Sequence, residues 1–196
     1  MSRHILSRKN LFRALLLLCR VAVLSVTAIG WVGSERSLHP KPRVYDWSLA
    51  TYPDLHTENV RFHSATGIDL AGRFFPGKSR GVILLAAGYG DNQNQMLPYV
   101  EFLSHAGWST FTYDMRGRGD SGGSDVTLGV FEQRDMISAV DYLAHRSDVD
   151  ASQMGVLGIS MGASTAILDA AKDSRLKAVV DACGFSDAPS VISTSF

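Results

Sequence analysis

Cysteine is nearly missing from this sequence: only Cys19 and Cys183 occur among 196 residues. One lies in an apolar N-terminal stretch and the other in a predicted strand, so no disulfide framework is expected. Histidine and cysteine show no metal-ligand spacing, so neither a metal site nor another cofactor is expected. Acidic residues are absent from the first twenty positions, which carry Arg3, Arg8, Lys9, Arg13 and Arg20. The remainder holds 14 basic against 19 acidic residues, a net charge of −5. A mildly acidic body without a basic stripe gives no support for nucleic-acid binding. Internal repeats and low-complexity segments are also lacking.

What is present is enough apolar residue, 45% of the chain, to bury one sizeable core with an appendage. The appendage is the N-terminus. Residues 11–32 carry no charge except Arg13 and Arg20, and a helix of that length reaches roughly 33 Å, enough to cross a bilayer core. Arg20 divides two readings. If it closes the charged region, residues 21–32 span about 18 Å, the size of a cleavable signal core. Val26 and Ala28, or Ala28 and Gly30, would then be the small residues before the cut. If Arg20 snorkels toward phosphates and Trp31 sits at the interface, the helix is an uncleaved anchor, the reading favoured here. In both cases the basic end stays cytoplasmic and the rest of the chain is exported or lies on the outer face. The expected organisation is therefore an anchor over 1–33, an extended tether over 34–53 set by Pro40, Pro42 and Pro53, and a folded domain over 54–196.

Within the domain, runs at 59–63 and 68–75 flank Ser64-Ala65-Thr66-Gly67 and predict a hairpin in which Gly67 takes a positive φ. Residues 81–87, GVILLAA, form a continuous apolar run suited to a central parallel strand. A helix is predicted over 96–106, a strand over 109–114, an amphipathic helix over 131–145, and a strand over 177–183. Between the last two lies the stretch on which the chain is organised, MGVLGISMGASTAILDAA over 154–171. It reads as a buried strand over 154–159, a turn, and an alanine-rich helix over 163–171. The turn, Gly158-Ile159-Ser160-Met161-Gly162, satisfies G-x-S-x-G, the elbow that lifts a serine hydroxyl above a parallel sheet. The alternative is a Gly-Ser turn of an ordinary α/β protein. Alternating strands and helices predict an α/β fold, a mostly parallel sheet of about six strands with helices on both faces.

The order AAGYG, YDMRGRGDSGG, LGISMG resembles the α/β-hydrolase fold over roughly residue 59 to the end. It looks most like bacterial membrane-anchored members related to the prolyl-oligopeptidase, serine-aminopeptidase and lysophospholipase groups. The resemblance implies hydrolysis of an ester or amide bond in a small molecule, with carboxylic esters first and short peptides as the alternative. It implies Ser160 as nucleophile and backbone N–H groups of Tyr89 and Met161 as the oxyanion hole. Where the family usually has His-Gly, this sequence has Ala87-Gly88, so the loop lacks the histidine that often braces it. Residues 117–122 also fit G-x-G-x-x-G, but no helix is predicted to open directly from them, as a dinucleotide site requires. Asp114 and Arg116 are expected to be structural, with contact between Arg116 and substrate as the alternative.

In this fold the triad runs serine, acid, histidine along the chain. No histidine follows Ser160: the six are His4, His39, His56, His63, His105 and His145. Asp187 is the candidate triad acid on the chain, while Asp181 falls within its strand. Two further strands with their helices, roughly 80 to 100 residues, would complete such a domain. The expectation is thus a C-terminally truncated member with little turnover of its own, its last strand a bare edge beside the apolar tail 191–196. A non-catalytic membrane-tethered remnant or binding module is the reading from a different class.

Overall fold

The computed structural model describes residues 8–187. Two compact units divide at Leu38 and His39. The first is helix α1, Arg8–Leu38, 31 residues with none buried. It is long and apolar enough to cross a membrane, reaching about 46 Å at 1.5 Å per residue. This helix overruns the predicted end of the anchor, so residues 34–38 are helical and the tether does not begin at Ser34. Nothing in Ser34-Glu35-Arg36-Ser37-Leu38 breaks a helix, and the Ser37 hydroxyl donates to the Gly33 carbonyl at 3.0 Å. The stop comes at His39 because the residue before Pro40 is sterically pushed out of the helical region.

In the second unit, residues 39–57 are irregular apart from one 3-10 turn, Leu49–Thr51, and short bends. They do not form a free spacer, since Trp47, Leu49, Tyr52 and Leu55 pack against a buried cluster of the domain. The strands are β1 (Glu58–His63), β2 (Asp69–Phe75), β3 (Val82–Ala86), β4 (Ser109–Tyr113), β5 (Met154–Ile159) and β6 (Leu176–Ala182). The helices are α2 (Leu97–His105), α3 (Glu132–Ala144) and α4 (Met161–Ala170). Sheet order is β1-β2-β4-β3-β5-β6. β1 and β2 form the predicted hairpin, with Gly67 at φ 81°. β2 also runs antiparallel to β4, whereas β4, β3, β5 and β6 are mutually parallel.

Alternation along the strands gives the sheet two cores. Leu84, Ala86, Phe74 and Phe111 face α3 and α4 together with Met136, Val140 and Ala166. Leu85, Ala87 and Phe75 face α2 with Met96, Leu97 and Val100. Among the described residues β6 is a sheet edge, paired only with β5, and Val180 on it is 53% exposed. The apolar tail 191–196 lies outside the described residues.

α4 buries a carboxyl group. Asp169 is 1% exposed, and its Oδ2 has no hydrogen-bond partner. Burial raises its pKa to about 7 from the ordinary 3.8, with Lys172 opposing and Asp173 adding to the rise. The folded state therefore holds a proton that the unfolded chain has already lost above about pH 4. Stability contributed by this group is present at low pH, declines as pH rises toward 7, and levels off above it. Asp169→Asn should remove that decline, which runs at roughly 1.4 kcal/mol for each step of one in pH and so amounts to a few kcal/mol at most. Urea unfolding at pH 5 and pH 8 checks it: the variant must gain on the wild type at the higher pH, and a constant difference would refute the assignment.

Candidate active site

β5 runs into α4 through Ser160, whose φ of 51° and ψ of −114° lie where side chains are strained. Two backbone bonds hold the turn, Ser160 N–H to the Ala182 carbonyl at 2.9 Å and Ser164 N–H to the Ser160 carbonyl at 3.0 Å. The flanking glycines are dictated by space. A Cβ on Gly158 would stand 2.4 Å from the Ala163 nitrogen, and one on Gly162 2.4 Å from the Ala86 carbonyl oxygen. Only hydrogen fits at either place, so helix and sheet approach closely enough to force the serine outward. Met161, directly after it, opens α4, where N–H groups have no partner within the helix.

The neighbouring strand end supplies the second wall. β3 pairs with β5 so that Ala86 stands opposite Gly158. From there the chain makes a turn over Gly88, Tyr89, Gly90 and Asp91, closed by Asp91 N–H to the Gly88 carbonyl at 3.2 Å. Gly90, with φ 78°, occupies the position that needs left-handed backbone. Gly88 lies against Ile159, since a Cβ on it would be 3.5 Å from the Ile159 carbonyl oxygen. The structure thus puts Tyr89, after β3, and Met161, within the elbow after β5, at adjacent strand ends.

Where the histidine brace is absent, an amide takes its place. Gln95 Oε1 accepts from Gly88 N–H at 2.7 Å, and Gln95 Nε2 donates to Asp91 Oδ2 at 2.7 Å. No sequence signal singles out Gln95 among the polar residues of Asp91-Asn92-Gln93-Asn94-Gln95. Burial pushes the Tyr89 phenol up, and the nearby Arg118 pulls it back in part. Arg118 itself is buried, and its guanidinium is pushed below its ordinary value by that burial.

Asp114 and Arg116 are consumed internally. The Asp114 carboxylate accepts from Gln93 N–H at 2.8 Å, Gln93 Nε2 at 3.0 Å and Asp120 N–H at 3.0 Å. Its oxygens fill the space a side chain at Gly119 would need, 2.0 Å from that position's Cβ. Arg116 makes a bidentate pair with Asp135, Nε to Oδ2 and Nη2 to Oδ1, both 2.7 Å. The loop after these glycines runs as coil and turns until α3 begins at Glu132, so no helix opens on it as a dinucleotide site requires.

The remaining candidates are dispersed. Asp187 is exposed and lines a recess of about 150 Å³ with Met161, Ser164, Leu168 and Phe185. Ser164 ties that loop to α4, donating to the Phe185 carbonyl at 2.7 Å. Asp181 accepts from Gly184 N–H at 2.6 Å within the turn that ends β6. Of the histidines, His63 pairs with Asp69 at the far end of the sheet. Four strand spacings, about 19 Å, separate its strand from β5. His39 Nε2 meets Asp125 at 3.1 Å. His145 Nδ1 lies 2.7 Å from the Asp141 carbonyl at the end of α3. His56 and His105 line a recess with Pro76 and Lys78, at the end of the sheet where the parallel strands begin. None of these five hydrogen-bonds to Ser160, and His4 lies outside the described residues. No group of three or more His, Cys, Asp or Glu capable of holding a metal occurs among the described residues.

Known proteins resemble this chain in sequence and in fold. A 31.7 kDa Escherichia coli protein of unknown function, encoded between traX and finO, is 31% identical over 108 residues. That match covers 54% of this chain and 38% of the relative. The thiohydrolase aneE of Aspergillus aculeatus is 27% identical over 128 residues, covering 63% of this chain and 40% of aneE. An esterase of Pyrococcus furiosus has a similar fold, with a TM-score of 0.68 at 24% identity, over 76% of this chain and 57% of the esterase. The chain spans half or less of the length of these curated relatives. The family described as serine aminopeptidase, S33, matches residues 77–191. That stretch is more than half of the chain and contains the elbow, the turn at Tyr89 and the Asp114 loop, so the chain belongs to this family of α/β hydrolases.

Proposed function

We propose that Ser160 is the nucleophile of an acyl hydrolase acting on carboxylic esters of small molecules. The observation that carries this is the strained serine at φ 51° between two glycines that admit no side chain. In the proposed reaction the Ser160 Oγ–H bond breaks to a base as Oγ bonds the substrate carbonyl carbon. The carbonyl oxygen takes up the charge between the Tyr89 and Met161 N–H groups. Collapse expels the alcohol, which leaves with a proton, and water then hydrolyses the acyl-serine. The names of similar proteins, an esterase and a thiohydrolase, support acyl transfer from oxygen or sulfur. The family description favours short peptides as the second substrate class.

Among the described residues no side chain hydrogen-bonds to the Ser160 hydroxyl, so none is assigned as the proton acceptor. Serine at its normal pKa is a weak nucleophile without an adjacent base. In a studied serine protease, loss of triad function costs on the order of 10⁶ in rate and leaves ~10³ to 10⁴ over water. This polypeptide is therefore expected to turn over esters poorly, with Asp187 as the candidate triad acid. The same observation supports a non-catalytic hydrolase remnant as the second reading. We place the chain at a membrane through Arg8–Leu38, with the hydrolase unit on the outer face.

A fluorophosphonate probe tests the nucleophile without demanding turnover. Wild type should be labelled slowly and Ser160→Ala not at all. Equal labelling of both removes Ser160 from the mechanism, and no labelling of the wild type supports the remnant.

A further inference from the structure

The turn at Tyr89 is gripped from a second side, by the segment that leaves α1. Pro40 lies over Gly90, its Cβ 3.2 Å from where a Gly90 side chain would start, and the Lys41 carbonyl is 3.8 Å from the same point. Arg43 Nη1 stands 3.6 Å from Asp91 Oδ2. Trp47 Nε1 donates to the Asn94 carbonyl at 3.0 Å. The Tyr45 ring packs on Trp47 with centroids 4.8 Å apart.

Asp91 is the centre of this grip. It is 2% exposed, a costly place for a carboxylate unless it is paired. Its Oδ2 is taken by Gln95 and Arg43. Its Oδ1 and the Tyr45 hydroxyl are both shut off from solvent, each without a partner in hydrogen-bond geometry. Burial first, and then the Asp91 carboxylate, push the Tyr45 phenol well above its ordinary value. A small closing movement of the phenol onto Oδ1 would satisfy both atoms at once.

We propose that Arg43 and Tyr45 are positioning residues that act through Asp91 and Gln95 to fix the Gly88 to Asp91 turn, and with it the direction of the Tyr89 N–H. Residues 39–47 take over the bracing that the alanine at 87 cannot supply. The inference rests on the reading of Tyr89 as an oxyanion donor, but its test need not. In the full chain, amide hydrogen exchange over 88–95 should accelerate about tenfold in Arg43→Ala/Tyr45→Phe, the scale of one lost charge-assisted bond. Exchange in β3, β5 and α4 should stay as in the wild type, and Arg43→Lys, which keeps the cation, should stay slow over 88–95.

Unchanged exchange over 88–95 in the double variant overturns the proposal, as does acceleration spread evenly through the sheet. Loss of protection in Arg43→Lys overturns the role of the charge. Fluorophosphonate labelling of the same samples separates this idea from the one beneath it. A wild type that is not labelled sinks the hydrolase reading while leaving the exchange result to decide the brace. Slower labelling of the double variant, with labelling intact in Arg43→Lys, is the outcome expected if the turn orients an oxyanion donor.

Discussion

Gly162→Ala should yield no stably folded domain. The added methyl would sit 2.4 Å from the Ala86 oxygen and 2.5 Å from the Ala87 oxygen, both backbone atoms of the strand end that carries the Tyr89 turn. Neither can swing aside as a side chain tip would. Relief requires α4 to lift from β3, which breaks packing of Met161, Ala163 and Ala166, all 1% exposed or less. Losses above about 4 kcal/mol are uncommon for one substitution, and here that is most of the stability of a small domain, typically about 5–15 kcal/mol. Circular dichroism melts and soluble yield read the effect. Ser160→Ala, two residues away, is the control, since it adds no atom and should melt near the wild type. A Gly162→Ala protein with the wild-type midpoint would mean that the elbow is not packed as described.

The second large loss is expected at Arg116→Met. Arg116 and Asp135 are both buried, at 5% and 0% exposure. Ser64 donates its hydroxyl to Asp135. Arg116 Nη2 reaches the Thr66 hydroxyl at 2.8 Å and stacks on the Phe131 ring at 4.8 Å. One ion pair therefore joins the β1–β2 hairpin, the loop after β4 and α3. Removing the guanidinium leaves a carboxylate in the core with only a hydroxyl for company, a cost of about 3–5 kcal/mol. Replacing both residues, Arg116→Met with Asp135→Leu, should recover much of that loss, because the uncompensated charge is what destabilises. Denaturant midpoints of the two proteins decide the matter. A double variant as unstable as the single one would show that packing rather than charge sets the cost.

The elbow was legible because its causes are local. G-x-S-x-G specifies a close approach of strand, turn and helix within five residues, and the apolar run before it and the alanines after it name their own periods. Gly67 was legible for the same reason. The bracing was not. Gln95, Asp91 and Arg43 meet through one-off contacts up to some fifty residues apart, and no periodicity marks them. Arg116 was readable as structural, but its partner Asp135 sits on what the sequence offers as an ordinary polar face of α3. The boundary at residue 33 failed because composition changes there while helix-breaking chemistry does not, and the chain obeys Pro40. Asp187 is a different matter. A triad is assembled from distant strand ends, so no local spacing marks which acid serves a nucleophile.

The side chains that follow the brace bear on where this protein divides into parts. Trp47, Leu49, Tyr52 and Leu55 close the core on the α2 side, whereas the family similarity begins only at residue 77. A cut at residue 54, the boundary that composition suggests, would strip three of those four from the cluster they pack against. A cut at residue 77 would also remove β1 and β2 from the sheet. The compact unit begins at His39, so the stretch matched by the family is shorter than the unit that contains it.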